Sequence, residues 1–309
     1  VPVITSGAHP AAMWPGVHKF FGMEYNKHPV YYVKIFDVME SKKQYEEDVV
    51  TTGFGLGELK PQSQSVVYDE HTQEGTRRYN HDTWGLGYIV TKEERDDNLY
   101  LSRSFKRAKA LARSMRTTQE INGANILNRA FNATYADGWD AKELCATDHQ
   151  TQGGISSNEL STPADLSESS IEDLCINISL MDDSRGLKAA IRPKCLIIPS
   201  NLRFDAHRIL KSDLQAGSSS DSTNTNATNA LKDMNTFPDG ICVNPYLTDT
   251  DAWFIKTDVD AGLQVFERRR MAFTQDNDFD TDNAKAKATQ RYSFGWSDWR
   301  GCFGSPGAA

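Results

Sequence analysis

Long apolar runs are missing from this 309-residue sequence. None approaches the ~18 consecutive apolar residues of a membrane-spanning helix, so a soluble chain is expected. The start, VPVITSGAHP, lacks the charged-then-apolar order of a secretory signal. It also lacks methionine, and loss of the initiator or of a longer N-terminal piece is expected. Cysteine is scarce: Cys145, Cys175, Cys195, Cys242 and Cys302 are odd in number, far apart and never in a C-x-x-C pair. That spacing fits free thiols in a reducing cytosol and not a disulfide framework. The N-x-S/T triplets at Asn132, Asn177 and Asn226 then read as chance matches. Positive charge is in deficit, with 34 Lys and Arg against 42 Asp and Glu and a net charge of −8. A sequence-specific DNA binder would carry a basic face. A protein that encloses nucleic acid without gripping it is not excluded.

What is present begins with glycine. The stretch TTGFGLG places Gly53, Gly55 and Gly57 around Phe54 and Leu56. A phosphate loop would need a helix N-terminus to aim its N–H groups, and Pro61 obstructs one here. No Gly-Lys-Ser/Thr lies nearby. The cluster has an echo at WGLGYIV, with Gly85 and Gly87. Between the two clusters, residues 58–84 hold only Leu59, Val66 and Val67 as aliphatic content. Two polar extended runs, SQSVVYDEHT and GTRRYNHDTW, flank a turn-like QEG at 73–75 and predict a hairpin. A two-stranded ribbon without an apolar face needs another surface to lean on. The glycines then read as hinges at its base.

Hydrophobic residues make up 39% of the chain, and its length fits about two domains. Residues 1–45 are rich in Trp, Phe and Tyr without a sustained period and predict an extended arm. Within 91–131, Leu101, Phe105, Ala108, Ala112 and Met115 step by four and three, giving one stripe on a long helix that runs from Asn98 to Phe131, roughly 50 Å. Thr91 and Glu94 have capping-box spacing, and Gly123 is a place for a kink. After a loop at 132–165, Ile171, Leu174, Cys175, Ile178 and Met181 mark a shorter helix. KCLIIPSNLRFDAHRILKSDL predicts a buried strand and a helix capped by Ser200. Residues 215–230 are low-complexity. AWFIK and LQVFERR predict short strands, and the closing KAKATQRYSFGWSDWRGCFG alternates as a strand does.

Chemistry-bearing residues are few. Cys145 and His149, with Asp148 between, have the types of a nucleophile and a base; a loop cysteine and a surface histidine are the simpler expectation. Asp276, Asp278 and Asp280 occupy the first three ligand positions of a calcium loop, but Thr281 replaces its glycine and Lys287 its glutamate. An acidic turn is expected there, and neither metal nor cofactor. Arg103, Lys106, Arg107, Lys109, Arg113 and Arg116 give the long helix a basic face, solvated or in weak contact with phosphates. Tyr292, Phe294, Trp296, Trp299 and Phe303 suit a core or interface strand better than base stacking.

The order of arm, extended loop, long helix, α/β segment and returning strand resembles the major capsid protein of tailed bacteriophages, and the wording resembles the Mu-like prophage major head subunit family. The segments that carry this are GFGLGELKP, GLGYIVTKEE, RAKALARSMRTTQEINGANILNRAFN, KCLIIPSNLRFDAHRILKSDL, DAWFIKTD and RYSFGWSDWRGCFGSPGA. The resemblance implies an α+β fold of the Hong Kong 97 type, in hexamers and pentamers of an icosahedral shell around double-stranded DNA. It implies an N-terminal arm at 1–57, an E-loop at 58–84, a P-domain at 85–162 with spine helix 91–131, an A-domain at 163–262 and P-domain return strands at 263–309. Lys60, Tyr68, Asp69, Glu70, Arg77, Arg78 and Tyr79 would supply intersubunit contacts, with Gly53, Gly55, Gly57, Gly85 and Gly87 as hinges. Lys60 is the only lysine of the loop and sits near its base, so a covalent crosslink is not carried over. Scaffold, portal and decoration proteins are possible partners, and the virion, after the host cytoplasm, is the expected location. An encapsulin-type nanocompartment and a cytosolic hydrolase using Cys145 and His149 are the rival readings.

Overall fold

A computed structural model describes residues 14–93, 100–213, 228–277 and 283–308. Two four-stranded sheets organise them around a shared apolar core. In the first sheet the order is β1 (Asp37–Glu40), β10 (Leu263–Asn277), β11 (Ala284–Trp296) and β4 (Asp82–Val90). β1 runs parallel to β10, and the other neighbours are antiparallel. The long helix α3 (Tyr100–Asn128) lies against this sheet. Its 29 residues span about 43 Å. Ala108, Leu111, Ala112 and Met115 form its buried stripe, meeting Phe273, Ala286 and Ala288 of the strands. The helix runs unbroken through Gly123. The glycine serves contact here, since a Cβ would sit 3.2 Å from the Phe294 ring.

Residues 14–35, expected as part of an extended arm, instead form α1 (Trp14–Lys27) and α2 (Tyr32–Ile35). The aromatics that broke any sequence period are the reason. Phe21 stacks on Phe273 at 4.6 Å, and Tyr32 and Phe36 meet Phe294 edge-on. Buried Glu120 of α3 accepts the backbone N–H groups of Tyr31 and Tyr32 and fixes the entry into α2.

The second sheet has the order β12 (Cys302–Ser305), β9 (Trp253–Thr257), β7 (Pro193–Ile198) and β8 (Ile241–Val243). Helix α4 (Glu168–Leu180) adds Ile171, Leu174 and Ile178 to its core, and Ser167 caps it with a reciprocal bond to Ser170. Helices α5 (Arg203–Lys211) and α6 (Ala230–Asp233) follow. The expected Ser200 cap of α5 is not made: Leu202 holds that position without a side-chain bond. β12 pairs with β9, so residues 302–305 join this sheet and not the return strands with which they were grouped. Tyr292, Trp296, Trp299 and Phe303 are buried.

Two small ribbons complete the fold: β5 (His149–Thr151) with β6 (Gly154–Ser156), and β2 (Tyr45–Thr51) with β3 (Gln73–Asn80). The second ribbon corrects the predicted hairpin. Its outer strand is 45–51, and 64–72 carries no strand. Register runs from Tyr45 opposite Asn80 to Val50 opposite Gly75, leaving 52–72 as one long loop at the open end.

Candidate assembly surfaces

Tyr79 is the most deeply buried side chain holding the ribbon to the body. Tyr79 is 2% exposed, its ring 4.8 Å from that of Phe266, and its hydroxyl lies 2.6 Å from Ser297 Oγ and 3.2 Å from Gln264 Oε1. Burial pushes its phenol far up from the ordinary range. Tyr79 was expected to face a neighbouring subunit; it is part of the core instead, because the ribbon leans on its own sheet. Gly295 leaves room for it: a Cβ there would be 2.7 Å from the Tyr79 ring. Arg77 sits over the Trp296 ring at 5.5 Å, and Arg78 over Tyr45 at 4.3 Å while pairing with Glu47.

Beyond the ribbon the loop closes at a polar neck. Thr52 and Thr72 exchange bonds, Thr52 N–H to the Thr72 carbonyl at 2.8 Å and Thr72 N–H to Thr52 Oγ1 at 2.9 Å. The Gly55 N–H donates to Asp69 Oδ2 at 2.7 Å, and Arg185 donates to both Asp69 oxygens at 3.0 and 3.1 Å. Arg185 also reaches the Glu70 carbonyl at 3.0 Å. Glu74 accepts from Ser184 Oγ at 2.6 Å and from the Gln152 N–H at 3.2 Å. The Gly55 N–H, and then Arg185, hold the Asp69 carboxyl below its usual range. Outside this neck, Phe54, Leu56, Leu59, Val66, Val67 and Tyr68 are exposed, Leu59 and Tyr68 above 90%. Lys60 is exposed among them. Such a patch marks an interaction surface. Arg185 was not singled out in the sequence; it lies more than a hundred residues away, and no local pattern pairs it with Asp69.

The hinge reading fails for Gly85 and Gly87. Both are inside β4, opposite Thr289 and Lys287 of β11, and a Cβ on Gly87 would stand 2.7 Å from the Ala286 carbonyl oxygen. Gly53, Gly55 and Gly57 lie in the loop at the ribbon's open end, and not at its base.

The basic face of α3 is narrower than expected. Arg116 is 8% exposed, packs 3.8 Å over the Tyr25 ring and donates to Gln119. Lys109 pairs with buried Glu24 at 3.5 Å. Lys106 and Arg113 are exposed and Arg107 is half-buried; the side chain of Arg103 lies outside the described residues. So do Glu94 of the predicted cap, most of the low-complexity stretch, and Asp278 and Asp280 of the acidic turn. Among the described residues no cluster of His, Cys, Asp and Glu is placed to hold a metal ion, and no helix is long and apolar enough to cross a membrane.

His149 is not on the surface. It is fully buried, stacked 4.3 Å over Trp299, with Nδ1 2.6 Å from Asp140 Oδ2 and Nε2 3.2 Å from Asn158 Oδ1. Asn158 Nδ2 donates to the Leu144 and Cys302 carbonyls, which fixes its orientation. Both ring nitrogens are therefore engaged by other side chains. No nitrogen is left to take a proton from Cys145. That thiol is itself fully buried, and burial pushes it well up from its ordinary value. The group ties the loop after α3 to the C-terminal strand. Clefts elsewhere include one of about 450 Å³ between α1, α3 and the first sheet, and one of about 830 Å³ between α4 and α6.

A long helix across one sheet, a second sheet beside it and a ribbon with an exposed apolar loop define the class: the Hong Kong 97-type fold of tailed-phage shells. The comparisons agree. A solved structure from Mycobacterium phage Adephagia superposes with a TM-score of 0.53 at 10% identity, covering 91% of this chain and 89% of that one. The procapsid of bacteriophage JBD30 gives 0.52 at 14%, covering 98% and 76%. A virus-like particle from Pyrococcus furiosus gives 0.52 at 12%, covering 94% and 98%. No curated protein matches the sequence. The family model for phage capsid protein matches residues 73–304, and the chain belongs to that family. It is a major capsid protein, a structural subunit of a virion shell.

Proposed function

We propose that the subunit assembles into hexamers and pentamers of an icosahedral shell around double-stranded DNA, through the ribbon and its 52–72 loop laid across a neighbour. The observation that carries this is the loop itself. Six large apolar side chains stand exposed on a segment with no strand, held at its neck by polar bonds that leave them uncovered. Burying each against a neighbour is worth about 1.5–3 kcal/mol, far more than the ~0–1 kcal/mol of an exposed ion pair. Lys60, Tyr68 and Glu70 remain contact residues of this surface, and Gly53 and Gly57 its points of flexure, with Gly55 held in the neck. The Mu-like subgroup is part of the same reading, supported by the segments quoted above. Scaffold, portal and decoration proteins are partners of the kind such shells use, and the subunit waits in the host cytoplasm before assembly. The arm, E-loop, P-domain and A-domain division is retained, with the E-loop ribbon widened to begin at β2 and with β12 moved to the A-domain. The subunit has no catalytic role: the best nucleophile–base pair in the sequence is buried and its base is occupied. Packaged DNA is contacted weakly, through the exposed remainder of the α3 basic face.

Limited proteolysis with electron microscopy tests this. Free subunits should be cut within 52–72 and shells should resist. Equal cutting in both states, or particles filled with protein cargo in place of DNA, would refute it, the second in favour of a nanocompartment.

A further inference from the structure

The first sheet ends in two very different edges. β1 is four residues long, and its ends are charged and paired, Asp37 with Lys256 and Glu40 with Arg270. Short, charged edges of this kind resist pairing with another chain. β4 is nine residues long, DTWGLGYIV, with neither lysine nor proline, and among the described residues it is joined on one side only, to β11. Trp84, Leu86 and Ile89 are exposed along it. An edge strand presents its outward N–H and C=O groups to whatever strand lies beside it, and a long apolar one is a template for pairing.

The same chain carries a segment with the opposite imbalance. Residues 64–68, QSVVY, have the β-branched and aromatic composition of a strand. They have no ladder partner among the described residues, and Val66, Val67 and Tyr68 are exposed. Their own ribbon does not take them: β3 pairs with β2 instead. Charge favours bringing the two together. Lys287 stands exposed on β11 beside β4, and Glu70 follows the loop segment closely. Gly85 and Gly87 leave that part of the edge without side-chain bulk.

We infer that residues 64–68 of one subunit add as a strand to the free edge of β4 in a second copy, extending its four-stranded sheet to five. This rests on the loop-docking reading above and names the surface on which the loop lands. Main-chain bonds along β4 would give the contact its strength, and Trp84, Leu86 and Ile89 would meet the loop's apolar side chains. The neck made by Gly55, Asp69 and Arg185 acts as a positioning device, since it fixes where the segment projects.

Hydrogen–deuterium exchange on free subunits and assembled shells tests the pairing, with Val67→Pro and Val67→Ala as variants. In wild-type shells, amides within 64–68 and the outward amides of 82–90 should slow together, by about tenfold or more. Val67→Pro removes a donor from an exposed, strandless position, so free subunits should melt as wild type does. Its shells should fail to form, or form with β4 exchanging as in free subunits, while Val67→Ala shells keep the protection. Protection of 64–68 without any at β4 would overturn the pairing and leave loop docking standing. Protection at neither segment would overturn both. Val67→Pro shells with β4 protected as in wild type would also overturn it.

Discussion

Replacing Tyr79 with alanine should loosen the ribbon and cost the free subunit about 3–5 kcal/mol, the range for deleting a buried aromatic side chain. Its ring fills the space between Phe266 and Gly295, and its hydroxyl bonds Ser297 and Gln264. Tyr79→Phe keeps the ring and removes only the hydroxyl. Ser297 Oγ still reaches Gln264 at 3.4 Å, so the loss should be about 1 kcal/mol. Gly295→Ala attacks the same contact from the other side. Its Cβ would arrive 2.7 Å from the Tyr79 ring, an overpacking worth about 1–3 kcal/mol. Because the two positions share one contact, the double variant with Tyr79→Ala should lose less than the sum. Urea unfolding of dissociated subunits measures all four. Tyr79→Ala should raise the unfolded-to-folded ratio by about 10²–10⁴, and the ribbon should become open to protease before the rest of the chain. A Tyr79→Ala subunit within about 1 kcal/mol of wild type would show that the ribbon does not lean on its own sheet, and would return Tyr79 to the intersubunit role first expected.

Asp140→Asn weakens the acceptor that holds the buried His149 Nδ1 and should cost about 1–3 kcal/mol, read as a lowered urea midpoint; an unchanged midpoint would show that this bond does not hold the group together. Burial, and then Glu143, push the Glu159 carboxyl up to about 7 from an ordinary 4.5. The folded state therefore binds that proton more tightly than the unfolded chain, and stability should fall as pH rises from 4.5 to about 7. Glu159→Gln should flatten thermal melting across that window, and a slope equal to wild type would reject the assignment. Asp69 has the opposite sign: its neck bonds hold above its ordinary 3.8 and are lost as pH falls through the lower folded value. Arg185→Ala should speed proteolytic cutting of the loop at neutral pH, and identical cutting in variant and wild type would show the neck to be open already. Free subunits should bind duplex DNA no tighter than roughly 10⁻⁶ M at physiological salt; nanomolar binding would make the α3 lysines and arginines a true DNA site.

What the sequence made legible was whatever a local period can carry. Ala108, Ala112 and Met115 of the α3 stripe, the apolar face of α4 and the buried run of β7 stand where periodicity put them, while the side chains of Leu101 and Phe105 lie outside the described residues. The ribbon was half legible. QSVVYDEHT has strand composition and QYEEDVV does not, yet it is the latter that pairs with β3, because pairing is settled by where the chain can reach and not by propensity alone. Gly85 and Gly87 misled for a related reason: inside a strand, glycine looks like a hinge until the neighbouring strand is known. Arg116 and His149 were misread as surface groups since their partners, Tyr25, Asp140, Asn158 and Trp299, come from other parts of the chain.

The pairing of β12 with β9 has a consequence for how the subunit is made. Residues 302–305 close a sheet whose other strands are synthesised between 193 and 257, and Phe303 and Cys302 lie in the same core as Tyr32 and Phe36. Contacts spanning nearly the whole chain form late and slowly. A nascent chain on the ribosome therefore cannot finish this core until residue 305 has emerged. Chains broken off before that point lack a wall of the interior and stay unfit for the lattice. Translation thus acts as a timer, withholding an assembly-competent surface from every chain that stops short.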